Sequence, residues 1–203
     1  MFSEASHHNF VLPTGHRVAV PKRSLVLIPW AGAPLRFSYG NKAEIDFEGE
    51  QLWAEIVVLR MLEREGFDGV WVDTLRRCFR PDMPPAECEL SQPAQSAYEA
   101  IGGKPWAAPG CWDLLVWRDE QIGFVELKRL KRERIQQSRV RWLSTALEKG
   151  FSANRFLVAE WDLLGPLSGP IHASRLADLL PPLMREERPT PPPSVPRPVY
   201  EKA

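Results

Sequence analysis

Residues 109–150 read PGCWDLLVWRDEQIGFVELKRLKRERIQQSRVRWLSTALEKG, and no other stretch constrains the fold as tightly. The pattern is strand, tight turn, strand, basic run, helix. Residues 113–117 alternate and are rich in strand formers, 118–121 are polar and charged, and 122–128 form a return strand. Side chains on a strand repeat every two residues, so Glu126 and Lys128 share one face and Leu127 points to the other. Folding the hairpin about Asp119 and Glu120 sets Asp113 opposite Glu126, with Lys128 a diagonal neighbour. Directly opposed residues have Cβ atoms roughly 4.5–5.5 Å apart, and like charges there destabilise a sheet. A hard divalent cation would relieve the repulsion, since Mg²⁺ takes carboxylate oxygens at about 2.0–2.1 Å and keeps waters. A lysine beside it supplies a point charge for a phosphate or an attacking water.

The rest of the composition excludes more than it assigns. At 203 residues, 44% hydrophobic and 26% charged, the chain suits one ordinary α/β domain with decorations. Its formal net charge is zero, so no whole-molecule field attracts nucleic acid. The charge is uneven, however: residues 128–141 carry seven Lys or Arg against one acid, Glu133, a local excess suited to a phosphate backbone. Cys78, Cys88 and Cys111 are scattered without a CxxC pair, which disfavours a disulfide framework and a zinc knuckle. No apolar run approaches the roughly 20 residues of a membrane span, and the first residues lack a signal-peptide pattern. A cytoplasmic location and no membrane partner are the expectation.

Along the chain, residues 1–43 read as a β-like N-terminal appendage, with short runs at 17–20 and 24–28 each followed by proline. Residues 46–66 read as a helix that Asp46 caps, with Glu48 and Glu50 near its positive end and Gly66 after its last turn. Leu52, Ile56, Leu59 and Glu63 make its stripe. Residues 69–73 read as a strand. An insertion at 74–108 carries five prolines and room for a short helix at 90–101; it is placed either to line a nucleic-acid channel or to cover the surface. Arg76, Arg77 and Arg80 within it are equally phosphate contacts or solvated charges. A second helix at 135–149 aligns Gln136, Val140, Leu143 and Leu147, a strand closes at 155–161, and 176–183 suits a last short helix. From Pro181 the tail holds eight prolines in 23 residues, an extended and disordered segment that could tether or recruit a protein partner. The element order is αβββαβ.

Asp113, twelve residues, then Glu126-Leu127-Lys128 resembles the PD-(D/E)xK (restriction-endonuclease-like) nuclease superfamily. Gly110, residues 113–117, Val125-Glu126-Leu127-Lys128, Trp142-Leu143 and Gly150 are similar to the VRR-NUC family within it. The chain departs from that family at Trp112, where proline is usual before the aspartate, and at Arg139, where a glutamine is usual. The resemblance implies an αβββαβ core with a mixed central sheet flanked by helices, spanning 44–180. It implies a Mg²⁺- or Mn²⁺-dependent nuclease acting on DNA, selective for flaps or branches rather than for sequence. Asp113, Glu126, the Leu127 carbonyl and a glutamate of the first helix would hold the metal; Glu50 takes that position, with Glu55 its rival. Asp113, Glu126 and Lys128 would be catalytic. Gln136, or Gln137 one step round the helix, would replace the glutamine. Arg129, Lys131, Arg132, Arg134, Arg139 and Arg141 are the expected phosphate contacts, with Arg139 and Arg141 read as outward-facing. A homodimer would suit an enzyme that cuts two strands, although no interface stripe stands out. The competing expectations are an inactive binding module on the same scaffold, and a structural α/β domain acting through its tail.

Overall fold

The hairpin centred on Asp119 and Glu120 forms in the expected register. In the computed structural model, which describes residues 6–35, 39 and 42–164, the chain runs β1 (Ser6–Val11), β2 (Arg17–Pro29), β3 (Glu44–Phe47), β4 (Glu50–Trp53), α1 (Ala54–Arg64), β5 (Asp68–Asp73), β6 (Cys78–Arg80), α2 (Gln92–Ala100), β7 (Leu114–Arg118), β8 (Gln121–Arg129), α3 (Gln137–Glu148) and β9 (Phe156–Leu163). Arg118 pairs with Gln121 and Leu114 with Val125, so Asp113 and Glu126 stand opposite at the end of the β7–β8 ladder. Asp119 takes the left-handed conformation (φ 54°) that this tight turn needs and that Asp tolerates better than most residues.

The protein is mixed α/β. Nine strands make one mixed sheet in the order β4-β3-β2-β9-β8-β7-β5-β6, with β1 beside β2. β9 is parallel to both neighbours, β2 and β8, and the other pairs are antiparallel. Strand alternation divides the core. Trp71, Leu114, Val116, Val125 and Leu127 pack with α1 on one face; Val70, Val72, Leu115 and Phe124 pack with α2 and α3 on the other. No helix among the described residues is long and apolar enough to cross a membrane, and the three cysteines carry free thiols.

Three sequence expectations are corrected here. The first helix starts at Ala54, not Asp46, because residues 44–53 form a β-hairpin. Glu48 and Gly49 turn it with left-handed φ of 57° and 87°, and Asp46 Oδ1 accepts the Gly49 amide at 2.8 Å instead of capping a helix. The N-terminal region is not set apart as an appendage. β2 runs through Pro21 to Pro29, and its residues 22–27 form the parallel ladder with β9 inside the sheet. Prolines read as strand ends thus flank one continuous paired segment. The insertion, finally, is more than a surface cover, since part of it is folded core. α2 forms where a helix was expected, buries Ala94 and Tyr98 beside Trp142, and the Tyr98 hydroxyl accepts the Ala108 amide at 2.6 Å. The expected helix at 176–183 and the Pro-rich tail lie outside the described residues.

One buried polar network ties the β5–β6 pair to the segment carrying Tyr39. Arg80 Nε donates to Asp73 Oδ2 at 2.9 Å, and the Tyr39 hydroxyl donates to the same oxygen at 2.8 Å. Arg80 Nη2 donates to the Tyr39 hydroxyl, and the Arg76 guanidinium sits 4.0 Å from the Tyr39 ring centre. Arg80 is therefore neither a phosphate contact nor a solvated charge. With Asp73 2% and Arg80 3% exposed, removing one partner strands a buried charge. Asp73→Ala should lower unfolding free energy by about 3–5 kcal/mol in urea denaturation, and a loss below about 1 kcal/mol would show that Arg80 finds solvent instead.

Candidate functional site

Asp113 is set by its backbone before its side chain does anything. Gly110 turns the chain at φ 97°, a conformation disfavoured for residues with a Cβ, and Trp112 follows it fully into the core. Trp112 packs edge-on to Phe156 and donates its Nε1 to the Arg139 carbonyl at 3.2 Å, which links this segment to the first turn of α3. The Asp113 carbonyl accepts the Val72 amide at 2.8 Å, and its Oδ2 accepts the Leu127 amide at 2.9 Å. Asp113 is thereby clamped between β5, through its backbone, and β8, through its carboxylate.

Glu126 is 6% exposed on β8. Arg139, read from sequence as an outward phosphate or solvent contact, instead reaches down from α3 between the two acids. Its Nη2 donates to Asp113 Oδ1 at 2.9 Å, and its Nε lies 3.2 Å from Glu126 Oε2. The Nε contact is misaligned: Oε2 of Glu126 and Nη1 of Arg139 are buried without a hydrogen-bond partner among the described residues. Lys128, on the same strand face, donates to Glu160 Oε1 at 2.8 Å, and Lys22 bonds the other oxygen of Glu160 at 3.2 Å. Glu160 was missed in the sequence. Its signal was a lone acid in the otherwise apolar run 156–161.

Asp113, Glu126, Lys128 and Arg139 line one cleft of ≈ 400 Å³ bounded by β8, the first turn of α1, the start of α3 and the segment carrying Tyr39 and Lys42. Glu55 lines it, ion-paired to Lys42, whose ammonium stands 4.9 Å from the Trp71 ring centre. Glu50 does not line it. It is exposed in β4 opposite Phe47, because the helix starts four residues later than a Glu50 ligand would require. The helix carboxylate facing the cleft is Glu55, in the first turn of α1 where the helix dipole favours an anion. Gln136 lines the cleft as the residue capping α3, while Gln137 does not. Arg129 and Arg134 also border it; Lys131, Arg132 and Arg141 are exposed outside it. Arg129 further packs its guanidinium against Trp161 at 5.2 Å and donates its amide to Glu133.

The electrostatics follow from burial. Desolvation pushes the Asp113 carboxyl up from 3.8 to about 6, against the opposing pull of Arg139, and nearby Glu55 adds to the rise. Burial and the Asp113 charge raise Glu126 well above its ordinary range. Around Glu160 the balance is reversed: Lys128 and Lys22 outweigh burial and hold its carboxyl low. Among the described residues no group of three His, Cys, Asp or Glu side chains is placed to hold a metal ion. Two carboxylates, one with an unbonded buried oxygen, nonetheless suit Mg²⁺, which needs only one or two protein carboxylates and fills its octahedron with water. No family model matches the chain, and no curated protein or solved structure does either.

The raised acids give a pH signature. An acid whose folded pKa lies above its unfolded value contributes stability that is full below the unfolded pKa and is lost as pH rises through the folded one. In metal-free protein, Asp113 should therefore weaken the fold between pH 3.8 and about 6. Relative to wild type, Asp113→Asn should gain on the order of 1–3 kcal/mol across that window in urea denaturation. A difference that stays flat with pH would contradict the assignment.

Proposed function

We propose that this protein is a divalent-metal-dependent nuclease of the VRR-NUC type, within the PD-(D/E)xK superfamily, that hydrolyses DNA phosphodiester bonds. The observation that carries the reading is the register: Asp113 stands opposite Glu126, with Lys128 two residues on, in one cleft with Glu55. The order α1-β5-β7-β8-α3-β9 is in keeping with the αβββαβ core that the motif leads one to expect.

A divalent ion held by Asp113 and Glu126, with the Leu127 carbonyl as a further donor, would supply Lewis acidity and offset charge building on the scissile phosphate. Lys128 stabilises the equatorial phosphate oxygens and orients the attacking water. Glu160 holds the Lys128 ammonium at 2.8 Å and so limits its rotamers. Glu55 and Gln136 position water at the edge of the cleft. Arg129 and Arg134 hold the flanking backbone, aided by the exposed Lys131, Arg132 and Arg141. These contacts are to phosphate, and α3 presents a buried apolar stripe toward the sheet, so selectivity rests on the shape of the DNA and not its bases. One observation favours the second reading, an inactive binding module: Arg139 already pairs with both acids that a metal would use.

A labelled panel of single strand, duplex, 5′ flap, 3′ flap and four-way junction, with Mg²⁺, Mn²⁺ or EDTA, separates the two. Cleavage should require metal and fall at least about 100-fold in Asp113→Ala and in Lys128→Ala. Glu55→Ala should also slow it, while Glu50→Ala should leave it unchanged. Binding should weaken with salt, and Arg134→Ala should reduce the salt slope by about one. Salt-sensitive binding without cleavage under any metal would establish the binding module instead.

A further inference from the structure

The cleft holds a cation of its own, and it is served badly where it stands. Arg139 makes one aligned bond, Nη2 to Asp113 at 2.9 Å, and one misaligned approach, Nε to Glu126 Oε2 at 3.2 Å. That leaves an acceptor on Glu126 and a donor, Nη1 of Arg139, buried and unsatisfied among the described residues. A guanidinium evolved only to lock two carboxylates would bond both, since its fork matches carboxylate geometry.

We propose that Arg139 is an exchangeable counter-cation: it offsets negative charge on the Asp113–Glu126 pair while the divalent ion is absent, yields the pair when the ion binds, and then bonds a phosphate oxygen of the substrate. This rests on the metal-dependent nuclease reading. The two unsatisfied groups are the physical ground. A divalent ion on the acids satisfies the orphaned Glu126 oxygen, and a phosphate satisfies the Arg139 donors. Arg139 and the ion compete for the same carboxylate oxygens, and their like charges favour separation once the ion is seated. The exchange needs only side-chain rotation. The Arg139 backbone is anchored because its carbonyl accepts Trp112 Nε1 and its amide donates to the Gln136 carbonyl at 3.0 Å. The neighbouring Arg134 and Gln136 line the same cleft, so the rotated guanidinium stays among groups suited to a phosphate.

Titrating Mn²⁺ into wild type, Arg139→Gln and Arg139→Lys, by calorimetry or by the paramagnetic resonance of free Mn²⁺, tests the exchange without relying on turnover. Removing the competitor should tighten Mn²⁺ binding about tenfold in Arg139→Gln, with Arg139→Lys intermediate. With Mn²⁺ saturating, Arg139→Gln should bind a labelled phosphorothioate oligonucleotide about tenfold more weakly than wild type. Circular dichroism and thermal melting establish that each variant is folded. Equal or weaker Mn²⁺ binding in a folded variant overturns the exchange and leaves the nuclease reading standing. If Arg139→Gln does not fold, unchanged Mn²⁺ affinity in Arg139→Lys overturns it equally. Absence of Mn²⁺ binding in wild type and both variants overturns the nuclease reading itself, and the exchange with it.

Discussion

Two carboxylates held face to face across neighbouring strands, mostly out of water, are the constraint around which the rest of this structure is arranged. Left alone they would repel, and burial already drives both toward the neutral form. The surroundings answer in separate ways. The Leu127 amide fixes one oxygen of Asp113, and Arg139 fixes the other. Lys128, the nearest strand cation, is drawn away from the pair toward Glu160, which the parallel β8–β9 register places directly beside it. The compensation is therefore assigned acid by acid and is not a diffuse positive field. A chain of zero net charge can thereby present an exposed basic edge. Inside the cleft, Lys42 faces Glu55 and Arg139 faces Asp113 and Glu126, while Lys128 at its wall joins Lys22 on Glu160. The basic residues 131, 132 and 134 stand exposed beyond them.

The far wall of the cleft depends on packing remote from the motif. Tyr39 rests on Trp53 and Trp71, with ring centres 4.7 and 5.5 Å away, and its hydroxyl is held by the buried Asp73–Arg80 pair. Lys42 extends from the same region to Glu55. The β5–β6 hairpin thus has a stake in the geometry opposite Lys128, although no residue of the 74–108 insertion lines the cleft. Stability and site geometry are coupled here through a polar network, whose members have no cheap replacement because each would leave a charge unpaired.

Legibility in the sequence followed the range of the interaction. The β7–β8 hairpin was readable to the residue, because one tight polar turn at Asp119-Glu120 between two short apolar arms leaves a single register; a slip of one would have turned Glu126 to the other face. α3 and β9 were readable for the same local reasons. The start of α1 was not. Leu52, Trp53 and Ile56 fit a helical stripe, yet the first two are buried as the end of a strand. The competing signal was Glu48-Gly49, a turn pair between alternating Ile45 and Phe47 on one side and Leu52 on the other. Acids read as a helix N-terminus were instead the rim of a hairpin. The two β runs of β2 were readable but its place in the sheet was not, because it pairs with β9, some 130 residues away in the chain, and nothing local announces a pairing of that separation.

The two site residues displaced from their expected places, Glu50 and Arg139, illustrate distinct limits. Glu50 and Glu55 are five positions apart, so an eight-residue shift of the helix start decides which of them reaches the cleft; the inward lean of Glu55 between Leu59 and Leu62 was already the sounder physical clue. Arg139 is a subtler case, because its basic character was legible and the two buried acids it pairs with were not. A basic residue in a basic run looks solvated, and Lys131, Arg132 and Arg134 before it are exposed. What sets Arg139 apart is the helix turn that aims it at two buried acids, with Val140 and Leu143 fixing the face on which α3 meets the sheet. An amide there could bond the carboxylates but not neutralise them. A guanidinium bonds Asp113, pairs with Glu126 and offsets one negative charge between them.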